Sequence, residues 1–105
     1  MMNISEKDWK LFKEKLPLWQ ERYIEKLNSE YIQILNSKEN PSEKFWILEN
    51  KIKTDRRKAG VIVEMSRKNM LPTLWELMSD NAISKTDLIE FSDDVKHKIT
   101  YFLEL

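Results

Sequence analysis

The chain has 105 residues, with 18 basic and 18 acidic side chains, and it contains no cysteine. This length suits one domain with its own core. The zero formal charge argues against binding of nucleic acid through bulk positive charge, and the missing cysteine excludes disulfides, thiolate catalysis and cysteine-bound zinc. The N-terminus shows no signal-peptide pattern, and no apolar run approaches the ~20 residues of a membrane span. We therefore expect a cytoplasmic protein consisting of a single domain, residues 1–105.

The chain is poor in turn-forming residues, with one glycine and three prolines. A β-sandwich or barrel needs many tight turns, whereas helices need only a few loops. The sequence therefore predicts an all-α domain of five or six helices, beginning with a long helical segment kinked at a proline.

The first helix is predicted to begin at Ser5, whose hydroxyl can cap the free backbone amides. Apolar side chains then recur every three or four residues, as on one face of a helix. They are Trp9, Phe12, Leu16, Trp19, Tyr23, Leu27, Tyr31 and Ile34. Because Pro17 removes one backbone donor and crowds the preceding turn, we expect either a kink or two consecutive helices, about 5–15 and 17–36.

A polar loop at 36–40 separates this segment from a second predicted helix. Asn40 can cap it, Pro41 suits its first position, and it should run to about Asp55. The apolar face of this helix consists of Phe45, Leu48 and Ile52.

The segment 61–65 is predicted to be an extended connector or a helical turn, because no second strand is available to pair with it. Ser66 can cap a helix over 66–79, in which Pro72 predicts a kink or a late start. The apolar stripe of this helix consists of Met70, Leu74, Leu77 and Met78. Ser84 and Ser92 mark two further helix starts, the first covering 84–90.

The patterns of enzymes and metal sites are absent, so we predict no catalytic residue, no cofactor and no metal. The single histidine, His97, should face solvent on the last helix, without a nucleophile or metal partner nearby. The acidic residues after position 80 do not have the spacing of a calcium loop and are interpreted as helix caps. A DNA-binding helix-turn-helix formed by 66–79 and 84–90 is disfavoured, because Asp87 and Glu90 would be repelled by phosphates.

Basic residues cluster between positions 51 and 68, where the acids are Asp55 and Glu64. Arginine side chains in a loop can bind phosphate or carboxylate groups through two parallel hydrogen bonds. This stretch is interpreted as a solvated charged linker, or as a contact for nucleic acid or an acidic protein surface. Its candidate contact residues are Arg56, Arg57, Lys58, Arg67 and Lys68.

Four tryptophans are many for this length. Trp46 and Trp75 lie beside the apolar stripes of their helices, which makes each either an edge of the core or an anchor for a protein partner. A spare apolar face would also allow a homodimer.

Several motifs together resemble a family of small helical proteins from Gram-positive bacteria and their mobile elements. The motifs, which span nearly the whole chain, are W-x-x-F from Trp9, P-S-x-K-F-W-x-L-E from Pro41, M-S-R-x-N-M from Met65 and D-L-x-x-F-S-D from Asp87. Pro72 departs from the more regular helix that family members have after the third motif. Some members carry a transporter label, which conflicts with the absence of an apolar span here.

The resemblance implies an accessory role on a mobile element, including interference with a host defence protein such as a CRISPR effector. From these observations we expect a non-enzymatic protein-binding or regulatory module. The alternative is a nucleic-acid-binding accessory protein that uses the basic stretch 51–68. The absence of a membrane span makes a membrane partner unexpected.

Overall fold

The computed structural model describes residues 4–104, which form α-helices joined by turns and contain no β-strand. The elements in chain order are α1 (Glu6–Leu35), α2 (Pro41–Asp55), α3 (Arg67–Ser79), a short 3₁₀ helix (Lys85–Leu88) and α4 (Asp93–Leu103). The all-α prediction is confirmed. The predicted count of five or six helices is not, because the helix expected over 84–90 is only the four-residue 3₁₀ helix.

Helix α1 continues through Pro17 without a break. The predicted division into helices 5–15 and 17–36 is therefore wrong. Pro17 is exposed, and so is Lys13, whose carbonyl would have accepted the missing hydrogen bond. Water can bind that carbonyl, while buried residues on either side of Pro17, Leu16 and Trp19, hold the helix in place. The start is as predicted, since Ser5 Oγ accepts a hydrogen bond from the Asp8 amide at 3.1 Å.

Helix α3 likewise includes a proline. It begins at Arg67 with Ser66 as its cap, so the late start considered for Pro72 is wrong. Its C-terminus is a Schellman motif, in which Asn81 adopts a φ of 58° and the amides of Asn81 and Ala82 bond to the Met78 and Leu77 carbonyls. The left-handed residue at Asn81 is therefore a helix-capping feature.

The core lies where the middle of α1 meets α3, α4 and the loop before α4. The residues of α1 that are buried in it are Phe12, Leu16, Trp19, Tyr23 and Leu27, as the predicted stripe requires. Met70, Leu74 and Leu77 of α3 are each 0% exposed. The Trp19 ring packs beside that of Phe91, with 6.2 Å between centroids.

A buried carboxylate joins the two ends of the chain. Asp8 accepts hydrogen bonds from the Ser92 amide at 2.9 Å and from the Ser92 hydroxyl at 2.7 Å. Burial alone would raise the pKa of Asp8, but these bonds, with one from Ser5, hold that pKa below its usual value. The ionised side chain thus fixes the start of α4 against the start of α1.

The connector between α2 and α3 turns at 56–61 and has no regular secondary structure from 62 to 66, in agreement with the predicted absence of a paired strand. Gly60 lies so close to Tyr23 that a Cβ at position 60 would overlap the tyrosine ring. The connector is therefore packed directly on α1.

The molecule divides into two regions along α1, which at about 1.5 Å per residue is about 45 Å long. The longest dimension of the molecule is 51 Å, so α1 spans most of it. We call residues 4–27 and 56–104 the head, which contains the core. We call residues 28–55 the arm, which is the end of α1 paired with α2. No residue from 28 to 54 is buried.

Candidate protein-interaction surface

The arm exposes large apolar side chains from both of its helices. Six of them, which we call the arm patch, are between 41% and 60% exposed: Ile32, Leu35, Phe45, Trp46, Ile47 and Ile52. Isolated exposed apolar residues are ordinary on protein surfaces, but a group of this size on a short segment makes the arm a candidate for contact with another molecule. Phe45 and Ile52, which belong to the predicted apolar face of α2, are therefore exposed.

Phe45 and Ile52 are exposed because polar contacts occupy the face of α2 that packs against α1. Lys44 donates a hydrogen bond to the Leu35 carbonyl at 2.9 Å, and Lys51 forms an ion pair with Glu30 at 2.9 Å. Positions 44 and 51 are two turns apart and share one side of the helix, as does position 55. Phe45 and Ile52 each follow one of these lysines, about 100° further round, and so lie outside the contact.

Asp55 fixes the base of the arm. Its carboxylate, which is almost fully buried, accepts a hydrogen bond from the Tyr31 hydroxyl at 2.9 Å and one from Lys51 at 3.1 Å. Burial would raise the pKa of Asp55, but Lys51, Tyr31 and Lys58 hold it below its usual value. Burial and the nearby carboxylate raise the pKa of Tyr31 to about 12. The charged cluster thus holds α2 against α1 within the arm, and Lys58 extends it to the start of the connector.

One side of α2 forms a shallow groove with an apolar floor. Phe45, Leu48 and Ile52 form that floor, and Glu49, Lys53 and Arg56 line its rim. Within residues 4–104, none of these three charged residues forms an ion pair. Acidic and basic groups are therefore both free to bind a partner beside the apolar floor.

Trp46 is the largest apolar side chain of the arm patch. Its ring packs edge-on against Phe45, with 4.9 Å between centroids, and 60% of its surface is exposed. Tryptophan is enriched among the residues that dominate the energy of protein interfaces. Trp75, the other predicted anchor, is 40% exposed on α3 of the head. The two tryptophans thus belong to different regions of the molecule.

The residues of the predicted basic cluster do not form one surface in the structure. Lys58 turns back toward Asp55, with 3.5 Å between Nζ and the carboxylate. Arg67 pairs with Glu6 and lies 5.8 Å from the centroid of the Trp9 ring. Both side chains are engaged in contacts within the head or at its junction with the arm.

The remaining basic candidates are less constrained. Arg56 lines the groove on α2. Arg57 and Lys68 are exposed, and neither forms an ion pair with a residue in the 4–104 range. The predicted cluster therefore does not form one continuous set of free cations.

Sequence reasoning missed Ile32, Leu35 and Ile47, which lie outside the predicted stripes. The available signal was that Ile32 and Leu35 follow the last residues of the α1 stripe. Ile32, Leu35 and Phe45 thus lie close in sequence to the turn between α1 and α2.

The carboxylates after position 80 take part in local structure. The Arg22 guanidinium donates two hydrogen bonds to Asp87, at 3.1 and 2.9 Å, and the Ser84 amide donates a third at 2.8 Å. Burial would raise the pKa of Asp87, but Arg22 and Ser84 hold it below its usual value.

Ser92 Oγ caps α4 by accepting a hydrogen bond from the Val95 amide at 3.3 Å, and His97 is exposed on that helix as predicted. In the part of the chain that is described, no three acidic or histidine side chains are grouped to hold a metal ion.

None of the helices between residues 4 and 104 combines the length and the apolar character that crossing a bilayer requires. Comparison of the chain with known protein families, with curated proteins and with solved structures gave no match.

Proposed function

We propose that this protein is a non-enzymatic protein-binding module that contacts its partner through the arm. The observation that carries the proposal is the arm patch, with Trp46 and Phe45 each 60% exposed on one short helix. Removing such side chains from water contributes roughly 25 cal/mol per Å² of apolar surface, so leaving them exposed forgoes stability that a partner can supply.

The biological setting of the proposal comes from the sequence motifs. Their resemblance to a family from Gram-positive bacteria and mobile elements suggests an accessory, regulatory role. A defence protein such as a CRISPR effector is the partner class that this setting favours. The polar base of the arm supports the proposal, since Asp55 and its partners present α2 in a fixed position.

The test is photo-crosslinking in the bacterial host that encodes the protein. A photo-reactive phenylalanine derivative replaces Trp46 in one sample and Trp75 in a matched control, since both are partly exposed tryptophans. We expect position 46, but not position 75, to form adducts with a different protein, identified by mass spectrometry. Equal adducts from both positions, or none from position 46, would overturn the assignment of the arm.

Nucleic-acid binding through 51–68 is the second candidate, favoured by the exposed Arg57 and Lys68. Lys51, Lys58 and Arg67 already pair with acids, which reduces the cations available for phosphate. Anisotropy of labelled duplex DNA, single-stranded DNA and RNA would reveal such binding, with about 0.9 in the salt slope for each phosphate contact to the duplex. Salt-dependent binding lost on changing Arg56, Arg57 and Lys58 would favour this candidate over the first.

A further inference from the structure

The groove on α2 lies between two rows of side chains that run along the helix in steps of four residues. One row consists of Phe45, Glu49 and Lys53, and the other of Leu48, Ile52 and Arg56. Rows at this spacing are the ridges of a helix surface, and the groove between two of them is where the ridge of a second helix packs. The groove therefore has the geometry to bind one helix.

The chemical character of the groove changes along α2. Phe45 and Leu48 make its start apolar, whereas each row ends in a cation, Lys53 or Arg56. Arg57 follows directly in the chain and is also exposed, without an ion pair to any residue in the 4–104 range. The end of the groove thus carries three exposed cations close together.

The acids near this end do not compensate the three cations. Asp55 is almost fully buried, and its carboxylate pairs with Lys51 and Lys58 instead. Glu49 lies one turn before Lys53, so it offsets at most one of the charges. The groove therefore matches a partner that is apolar along most of its length and acidic at one end.

We propose that the groove binds an amphipathic helix of a different protein, which lies antiparallel to α2 and carries acidic side chains in its first turn. The inference rests on the proposed protein-binding function, because it names the kind of partner that the arm binds. Apolar side chains at steps of three or four on the partner helix fill the groove between Phe45 and Ile52. The first-turn carboxylates of that helix face Lys53 and Arg56 and form charge-assisted hydrogen bonds with them.

The helix dipoles and the side-chain charges favour the same direction. The cationic end of the groove is the C-terminus of α2, which carries a partial negative charge. An antiparallel helix places its N-terminus there, with the opposite partial charge. Acidic residues are stabilised in the first turn of a helix, so the end of the partner that reaches Lys53 and Arg56 is the end that favours acids.

A second copy of α2 matches the groove less well than a helix of different sequence. When Phe45 of each copy lies beside Ile52 of the other, the two Glu49 side chains meet at the two-fold axis. Like charges in contact disfavour such a pair. The occupant is therefore assigned to another protein.

The test is a selection of displayed helical peptides, randomised in sequence and three to four turns long, against the full chain. We expect the enriched peptides to share apolar side chains at steps of three and four and acids in the first turn. Ile52→Glu should weaken their binding at least about tenfold, because it places a charge in the groove. The matched control is Ile89→Glu on the head, where the isoleucine is 63% exposed, and it should bind as the wild type does.

Three results of the selection would overturn the proposal. They are enriched peptides without first-turn acids, equal effects of the two isoleucine variants, and the absence of any enriched peptide that depends on the groove.

Charge reversal tests the cationic end of the groove. Lys53→Glu and Arg56→Glu should each weaken binding of an enriched acidic peptide about tenfold, and should favour the same peptide with lysines in its first turn. Lys68→Glu makes the same change of net charge at an exposed position on the head and should have little effect. Anisotropy of the labelled peptide gives the affinities, and circular dichroism checks that the helices persist. Equal weakening by all three variants would contradict a local contact.

The direction of the partner helix can be read from introduced cysteines, since the chain has none. Ser42→Cys lies at the start of α2, where an antiparallel peptide places its C-terminus. A cysteine at the C-terminus of the peptide should therefore form a disulfide with Ser42→Cys, and a cysteine at its N-terminus should not. The reverse pattern would contradict the antiparallel direction.

Sedimentation velocity of the chain alone tests the competing occupant. A concentration-dependent dimer that Ile52→Glu abolishes would assign the groove to a second copy and overturn the proposal. Adducts at position 46 in cells, without any helical peptide that depends on the groove, would contradict the partner class and leave the proposed function intact. Absence of adducts at position 46 would count against the proposed function itself.

Discussion

The head and the arm both carry apolar stripes on their helices, but only the head buries them. In the head, α3 places Met70, Leu74 and Leu77 in complete burial against α1. In the arm, the one buried residue of α2 is the charged Asp55, while Phe45 and Ile52 remain exposed. An apolar stripe thus predicts a helix in both regions, but burial follows only where another helix is present on that side. The head buries its apolar side chains in a core, whereas the arm leaves much of its apolar surface exposed.

The largest expected difference between the head and the arm comes from making the same substitution, leucine to alanine, in each region. Leu74→Ala in the head should lower the free energy of unfolding by about 3–5 kcal/mol, because it leaves a cavity among fully buried side chains. Leu35→Ala in the arm, where the leucine is 50% exposed, should change it by less than about 1 kcal/mol. Urea denaturation of both variants at low protein concentration provides the measurement. Equal losses would mean that the arm contributes to the core.

The contact between α1 and α2 inside the arm can be broken next. Asp55→Ala removes the acceptor shared by Tyr31 and Lys51 and should cost about 1.5–3 kcal/mol. Amide hydrogen exchange should accelerate in α2 more than in α3, since the arm is released first. Tyr31→Phe, which removes one donor, should cost about 0.5–1.5 kcal/mol. An unchanged exchange rate in α2 would show that the charged cluster does not hold the arm.

The contact between the connector and α1 requires a glycine at position 60, where no side chain meets Tyr23. Gly60→Ala would drive a methyl group into the Tyr23 ring and should cost about 1–3 kcal/mol. In a Tyr23→Ala background the same change should cost less than about 0.5 kcal/mol, because the overlap is gone. Additive losses in this double-mutant cycle, measured by urea denaturation, would contradict the predicted overlap.

Acid provides the mildest perturbation, and in the head it acts through Asp8. The pKa of Asp8 is lower in the folded chain than the ~3.9 of an unfolded aspartate, so the folded state favours the ionised form. Its contribution to stability is present above about pH 4 and is lost as the pH falls through the folded pKa. Thermal unfolding between neutral pH and about pH 3 should show this loss, and Asp8→Asn should reduce it. Glu14→Gln, at an exposed position, serves as the control and should follow the wild type.

Much of the local structure could be predicted because its causes are local. The caps at Ser5, Ser66 and Ser92 each accept a hydrogen bond from an amide three residues on, as their sequence context predicts. The absence of a strand in the connector was also predictable, since 61–65 has no partner strand. The unbroken helix at Pro17 was not, because it depends on exposure of the Lys13 side of α1 and on burial of the other side.

The candidate site was predicted only in part. Trp46 is identifiable from its position beside a stripe, whereas exposure of Phe45 and Ile52 depends on which side of α2 meets α1. The basic cluster was also predicted only in part. Proximity in sequence suggested one surface, but Lys58 turns back to Asp55 at the end of α2, and Arg67 pairs with Glu6 on α1.

The sequence by itself determined the helical class, the helix starts and the chemical character of each face, because capping and periodicity act over three or four residues. Only the tertiary structure decided which apolar face is buried. That choice depends on Lys44, Lys51 and Asp55, which bind α1 and rotate the apolar side of α2 outward. Burial is a property of two surfaces in contact, and a periodic pattern on one helix describes only one of them.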